Sequence, residues 1–180
     1  MTAGYHGQIF NASELGAALG FSHTTARKYL DILTSSFLVR ELKPWHESIL
    51  QRQVKQSKIY FRDVGVVQYL MGIKSKSELL KNPKLGSLWE GFALEEIIKS
   101  TEAEPEDLYF WALHQKGELD LLWKNGGKKI GYEFKYSASP TLTSSMHKAL
   151  ELLKLDHLYV VYPGKKKAQL SERVTLLPLV

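Results

Sequence analysis

The sequence predicts an α+β fold in two parts, a largely helical N-terminal half and a C-terminal half in which strands alternate with a helix. Three observations carry this. Apolar residues between Leu15 and Leu33 recur at the three-and-four spacing of helices packed by one face. From Gly117 to Tyr136 the chain alternates in character on both sides of Gly126-Gly127. An amphipathic stretch near Ser144 then leads into the apolar run Leu158-Tyr159-Val160-Val161, the order of a crossover helix and its strand. The chain has 180 residues, 44% of them hydrophobic and 24% charged, which suits one globular domain or two small ones and argues against disorder. No apolar run approaches the ~20 residues of a bilayer span. The first residues lack the pattern of a signal peptide. With zero cysteines there is no disulfide framework and no thiolate zinc site. A cytoplasmic location without membrane attachment is expected. The net charge of +5 permits contact with phosphate backbones without requiring it.

In chain order, Asn11 or Ser13 caps a first helix with Leu15, Ala18 and Leu19 as its apolar positions, and Gly20 suits its C-terminal end. Ser22 caps a second helix whose buried stripe is Ala26, Tyr29, Leu30 and Leu33. Two short helices across a Gly-containing turn form a helix-turn-helix. Phe37-Leu38-Val39 with Leu42 reads as a strand ended by Pro44, and a basic stretch from Gln51 to Lys58 leads into Ile59-Tyr60-Phe61. Strand, polar loop and strand after a helix-turn-helix is the order of a winged helix, placed at residues 1–62. Residues 63–85 form a helical bridge, with Val64, Val67, Tyr69 and Leu70 on one helix and Lys76–Leu80 on another. A longer helix from about Ser87 uses Leu88, Phe92, Leu94, Ile97 and Ile98, and opens a second domain at residues 86–180. Its strands are expected near 107–113, 117–124 and 128–136. A helix from Ser144 to Lys154 follows, then the strand at Leu158–Val161 and a last strand from Val174 to Val180.

The double glycine sets a two-residue hairpin loop. Its register puts Leu119 opposite Phe134, Leu121 opposite Tyr132 and Trp123 opposite Ile130, so one face is apolar. On the other face Glu118 meets Lys135, Asp120 meets Glu133, and Lys124 meets Lys129. Two carboxylates with Cβ atoms ~5 Å apart repel each other. A divalent cation between them offsets this, because hard ions such as Mg²⁺ prefer carboxylate oxygens. The competing reading is a solvated polar face, for which the Lys124–Lys129 pair is a precedent within the same hairpin.

Asp120, followed after the turn by Glu133-Phe134-Lys135, resembles the D…(D/E)xK signature of restriction-endonuclease-like nucleases. The resemblance implies a restriction-endonuclease-like core with a mixed sheet, in which Asp120 and Glu133 hold Mg²⁺ or Mn²⁺ and Lys135 assists the attacking water or stabilises the phosphate. It also implies a third ligand from the preceding helix, and Glu90 occupies that place, with a solvated helix residue as the alternative. The stretches GSLWEGFALEEI, YFWALHQKGELDLLW and GYEFKYSASP, with the helix-turn-helix and the lysines at 55 and 58, resemble the C-terminal half of a prokaryotic AAA+ ATPase family. In that family a P-loop module precedes a winged helix and a nuclease-like domain. Here no G-x-x-x-x-G-K-[ST] occurs, so no nucleotide site is expected in this chain, and the ATPase module is expected in cis or in trans.

DNA is the expected partner. His23, Thr24, Thr25, Arg27 and Lys28 lie at the start of the second helix, where bases and phosphates are contacted when such a helix enters the major groove, and Arg52, Lys55 and Lys58 supply a basic wing. The competing reading is a winged helix used for protein packing. His114 and the basic turn Lys165-Lys166-Lys167 read as solvated loops, and the four tryptophans as core or groove residues. The function expected is DNA binding with metal-dependent phosphodiester cleavage. Its alternative is a non-catalytic DNA- or protein-binding regulatory module of an AAA+ ATPase.

Overall fold

The computed structural model describes residues 2–46, 54–113 and 117–179. They form an α+β structure with mixed strand pairing, as the sequence predicts. Two compact units result, the first from residues 1–42 and 56–92 and the second from residues 43–55 and 93–180. The predicted bridge therefore belongs with the first unit, and the segment after Leu42 with the second.

The first unit opens with a 3-10 turn (Thr2–Tyr5) and a short strand β1 (Gln8–Ile9), then α1 (Ala12–Leu19) and α2 (His23–Ser35). Asn11 caps α1 by accepting from the Ser13 and Glu14 amides, Gly20 closes it in the left-handed conformation at φ 74°, and Ser22 caps α2 through the Thr25 amide. Strand β2 (Val39–Pro44) and β3 (Lys58–Phe61) pair antiparallel through Val39–Leu42, and β1 adds to the other edge of β3. Helices α3 (Val64–Leu70) and α4 (Lys76–Lys81) follow, capped by Asp63 and Ser75. The core gathers Phe10, Leu15, Ala26, Leu30, Val39, Ile59, Phe61, Val64, Val67 and Leu88.

Several apolar expectations are corrected. Phe37 and Leu38 are not strand residues: α2 ends with Phe37 at φ 60°, where its amide bonds Thr34 O and that of Leu38 bonds Leu33 O. That closure satisfies helix carbonyls otherwise left open and leaves both side chains exposed. Ala18, Leu19, Tyr29, Tyr69, Leu70 and Phe92 are likewise exposed, Tyr69 by 82%, because each of their helices buries only a narrow stripe.

His6 is the polar centre of this unit. Its Nδ1 accepts the Phe61 amide at 3.1 Å, its ring meets Tyr60 edge to face, and Gly91 lies so close that a Cβ there would come within 2.2 Å of Nε2. Burial holds the imidazole neutral, down to a pKa of about 4, with the Ser87 backbone opposing and Lys84 reinforcing the shift.

Helix α5 (Leu85–Thr101) leads into the second unit, where it buries Ala93, Leu94, Ile97 and Ile98. Strands β4 (Leu108–Leu113), β5 (Gly117–Asn125) and β6 (Lys128–Phe134) form the expected antiparallel meander. Helix α6 (Ser144–Leu152), capped by Thr143, crosses to β7 (His157–Tyr162), which runs parallel to β6. Strand β8 (Ala168–Ser171) precedes β9 (Val174–Pro178) and lies outside it, an edge strand the sequence did not announce. At the other side Lys43–Pro44 of β2 run parallel to Tyr109–Phe110. A core under α6 joins Met146, Ala149, Leu150 and Leu153 to Leu119, Leu122, Leu158, Val160 and Tyr162. Gly131 makes room for it, since a Cβ there would sit 2.7 Å from Leu155 Cδ1. Lys124 does face Lys129, and both ammonium groups lie over the Trp45 ring, at 5.3 and 5.5 Å from its centre. Lys129 also donates to Leu153 O at the end of α6. Among the described residues no helix is long and apolar enough to cross a membrane.

The His6 environment fixes an expected pH response. The ordinary value of 6.5 applies to the unfolded chain, so unfolding takes up a proton between pH 6.5 and about 4. His6 therefore contributes stability that is present above 6.5 and lost as pH falls through that window. Urea titrations across it should show the loss, and His6→Gln should flatten it. At pH 7, Gly91→Ala should destabilise by about 1–3 kcal/mol through overpacking.

Candidate functional site

The hairpin register holds from Asn125–Lys128 up to Leu121–Tyr132. On the opposite side of β5 the ladder slips, pairing Tyr109 with Leu122 but Trp111 with Leu119. Asp120 and Leu121 thus stand against the single residue Phe110, a β-bulge. The bulge interrupts the alternation, so Leu119 and Leu122 enter the same core beneath α6. This corrects the expected two-faced hairpin: both faces are covered, and the acids are not solvated. Asp120 and Glu133 are 6% and 5% exposed.

Both carboxylates remain neighbours. Asp120 Oδ2 accepts the Phe134 amide at 3.0 Å, which ties it to the strand carrying Glu133. Glu133 sits beside Val160 of the α6-covered core. Its Oε1 accepts from Lys135 Nζ at 2.7 Å, whereas its Oε2 is buried and accepts no hydrogen bond. Burial pushes the Glu133 carboxyl up to about 8; the charge of Asp120 adds to the rise and that of Glu118 adds a little, while Lys135 opposes it. A register that pairs Glu118 with Lys135 alone does not reveal this influence on Glu133. The visible signal was the Glu-x-Asp spacing, which puts both acids near one end of β5.

Asp120, Glu133 and Lys135 are thus brought together. Glu90 is engaged elsewhere, accepting from Tyr60 Oη at 2.5 Å and pairing with Lys58 at 3.4 Å within the first unit. Among the described residues no three His, Cys, Asp or Glu side chains gather as a metal site, so Asp120 and Glu133 stand as a pair. A two-carboxylate site suits Mg²⁺, which often takes only one or two carboxylates and keeps its remaining positions for water and phosphate. The unsatisfied Oε2 fits such an ion.

In the first unit His23, Thr24 and Lys28 are exposed at the start of α2, as a DNA contact requires, and Thr25 is half-buried. The hydroxyls of Thr24 and Thr25 lie at 3.0 and 2.9 Å from Ser22 Oγ. Arg27 makes a two-pronged contact with Glu41, at 2.8 and 2.6 Å, and another with Asp31 at 2.9 Å. It pins α2 to β2. Lys58 is buried against Glu90, which withdraws it from the surface. Lys55 is exposed and belongs to the second unit. Arg52 and His114 lie outside the described residues.

Comparison with known proteins finds two family matches along the chain. Residues 85–180 match the family described as a domain of unknown function, DUF4143, and residues 1–77 match a second domain of unknown function, DUF8612. Two uncharacterized proteins, from Mycobacterium bovis and Mycobacterium tuberculosis, are each 43% identical over 178 residues. The match covers 99% of this chain and 40% of either relative, so the chain spans about two-fifths of their length. No solved structure matches the chain.

The raised Glu133 carboxyl has a measurable consequence. The folded state holds its proton up to about pH 8 whereas the unfolded chain releases it near 4.5, so stability declines as pH rises through that window. Glu133→Gln should abolish this component of the decline. Were the pair to hold a divalent cation, it would need the ionised form, so Mg²⁺ would then raise the melting temperature of the parent more at pH 8 than at pH 5 and do little for the variant.

Proposed function

The chain belongs to the DUF4143 family, and on that premise we propose that it binds DNA and carries a metal-dependent phosphodiesterase site. One observation carries the reading: two buried carboxylates held side by side, one with an unsatisfied oxygen, next to a lysine ammonium. A buried acid pair destabilises a fold unless something compensates. Asp120 and Glu133 would hold Mg²⁺ or Mn²⁺, and the ion, when bound, would neutralise phosphate charge and make a bound water more acidic. The Phe134 amide orients Asp120, and Lys135 brings a positive charge to the mouth of the pair. The burial of Glu133 keeps bulk water from competing for its oxygens.

The order of elements supports a restriction-endonuclease-like core: an antiparallel meander, then a crossover helix to a parallel strand next to the strand bearing Glu133 and Lys135. The helix-turn-helix followed by the β2–β3 ladder supports a winged helix that presents His23, Thr24 and Lys28 to duplex DNA. Such a protein would act in the cytoplasm.

The relation of length to the mycobacterial relatives favours a second reading. As about two-fifths of such a chain, this sequence would serve as a regulatory module of an AAA+ ATPase, recognising DNA or a protein without cleaving it.

Asp120→Asn separates the two. Asparagine can still accept the Phe134 amide, so fold and DNA affinity should persist while Mg²⁺-dependent cleavage of a labelled duplex disappears. Cleavage at the parental rate would refute the nuclease reading, and absence of cleavage by the parent with Mg²⁺ or Mn²⁺ would favour the regulatory one. Lys28→Gln should weaken duplex binding and lower the slope of log affinity against log salt by about 1.

A further inference from the structure

We propose that the loop Lys165-Lys166-Lys167 is a preformed rail for the sugar-phosphate backbone of a nucleic acid, set beside the acid pair. This rests on the reading of Asp120, Glu133 and Lys135 as a phosphodiester site, and three observations lead to it.

The first is position. Strands β6 and β7 run parallel with Phe134 beside Val161, and the Lys135 amide donates to Val161 O at 2.9 Å. Tyr162 is the next residue of β7, so the loop that follows leaves the sheet at the end where Glu133 and Lys135 stand. In open α/β sheets the carboxyl ends of parallel strands are where ligands collect.

The second is order. The Tyr162 phenol donates to Lys166 O at 2.8 Å and accepts the Lys166 amide at 3.2 Å, closing the loop on its own stem. The ring is itself fixed in the core beneath α6. Gly164 lies flat against it, where a Cβ would come within 2.0 Å of Cε2. A merely solvated turn has no need of a buried clip.

The third is charge. All three lysines are exposed, and among the described residues none makes an ion pair with an acid. Burial lowers the pKa of His157, and the charge of Lys167 adds to that shift. Holding three adjacent like charges in one ordered loop is unfavourable until an anion arrives. A ligand that reaches both this loop and the acid pair must be an extended polyanion, and a nucleic-acid backbone is one.

The test measures binding of a fluorescent oligonucleotide duplex to the full chain across a salt series, without divalent ions. Replacing all three lysines, K165Q/K166Q/K167Q, should weaken binding about tenfold or more and reduce the salt slope by about 2 to 3. Tyr162→Phe keeps the charges and the ring but loosens the clip. It should weaken binding severalfold with the slope unchanged. A triple variant that melts like the parent and binds within twofold of it, with the same slope, would overturn the proposal. So would polyglutamate competing as well as unlabelled duplex, or no duplex binding by the parent. The cleavage and Mg²⁺-stabilisation measurements on Asp120 and Glu133 stand apart from these, so the rail and the acid pair fail separately.

Discussion

Two carboxylates placed together out of water are the constraint on which the second unit depends. Both are buried, and for Glu133 burial first and then the charge of Asp120 raise the energy of ionisation. The fold answers with a backbone amide for Asp120, an ammonium for Glu133 and a dense apolar layer under α6 that holds both strands in place. The answer is incomplete, because Glu133 Oε2 is left without a partner. Local dissatisfaction inside an otherwise well-packed core is the usual mark of a site kept for chemistry rather than for stability.

The bulge in β5 is what makes this arrangement compatible with a core. In a regular ladder Leu119 and Leu122 would face opposite ways, and Asp120 would share a face with Leu122. One extra residue opposite Phe110 lets both leucines reach the same layer. The first unit solves a smaller version of the problem with charges: Arg27 clamps Glu41 and Asp31, and Glu90 is shared between Tyr60 and Lys58. These contacts are geometric fasteners, and the exposed ones add little stability by themselves.

Much of the fold was legible because the signals were local. Asn11, Ser22 and Gly20 cap where their side chains and backbone freedom require, and Gly126-Gly127 fixes the hairpin register. The ladder from that turn runs only as far as Leu121–Tyr132; beyond it, in place of the expected register pair with Glu133, the Asp120 side chain accepts the Phe134 amide. What stayed hidden was non-local. The bulge arises from pairing with β4, so nothing within β5 reveals it, and the burial of both acids depends on α6 and β7. Lys58 read as a surface cation because its partner Glu90 is 32 residues away. Tyr29 and Tyr69 fit helical stripes by spacing, but no neighbour packs over them deeply enough to bury them. Only the resemblance to nucleases offered Glu90 as a third ligand, and its contacts with Tyr60 and Lys58 tie it to β3.

The short parallel pairing of Lys43–Pro44 with Tyr109–Phe110 sets a rule for dissecting the molecule. The family match begins at residue 85, yet the unit it describes borrows a piece of backbone from more than forty residues upstream. Phe110 O accepts the Trp45 amide at 2.7 Å across that junction. A fragment trimmed at the family boundary would present the flank of β4 as a bare row of amides and carbonyls, the kind of edge that recruits other strands and promotes aggregation. A cut before Lys43 keeps that strand but strips Ile59, Phe61, Val64 and Val67 of the Leu15, Ala26, Leu30 and Val39 they pack against, so no single cut in the chain frees one unit whole.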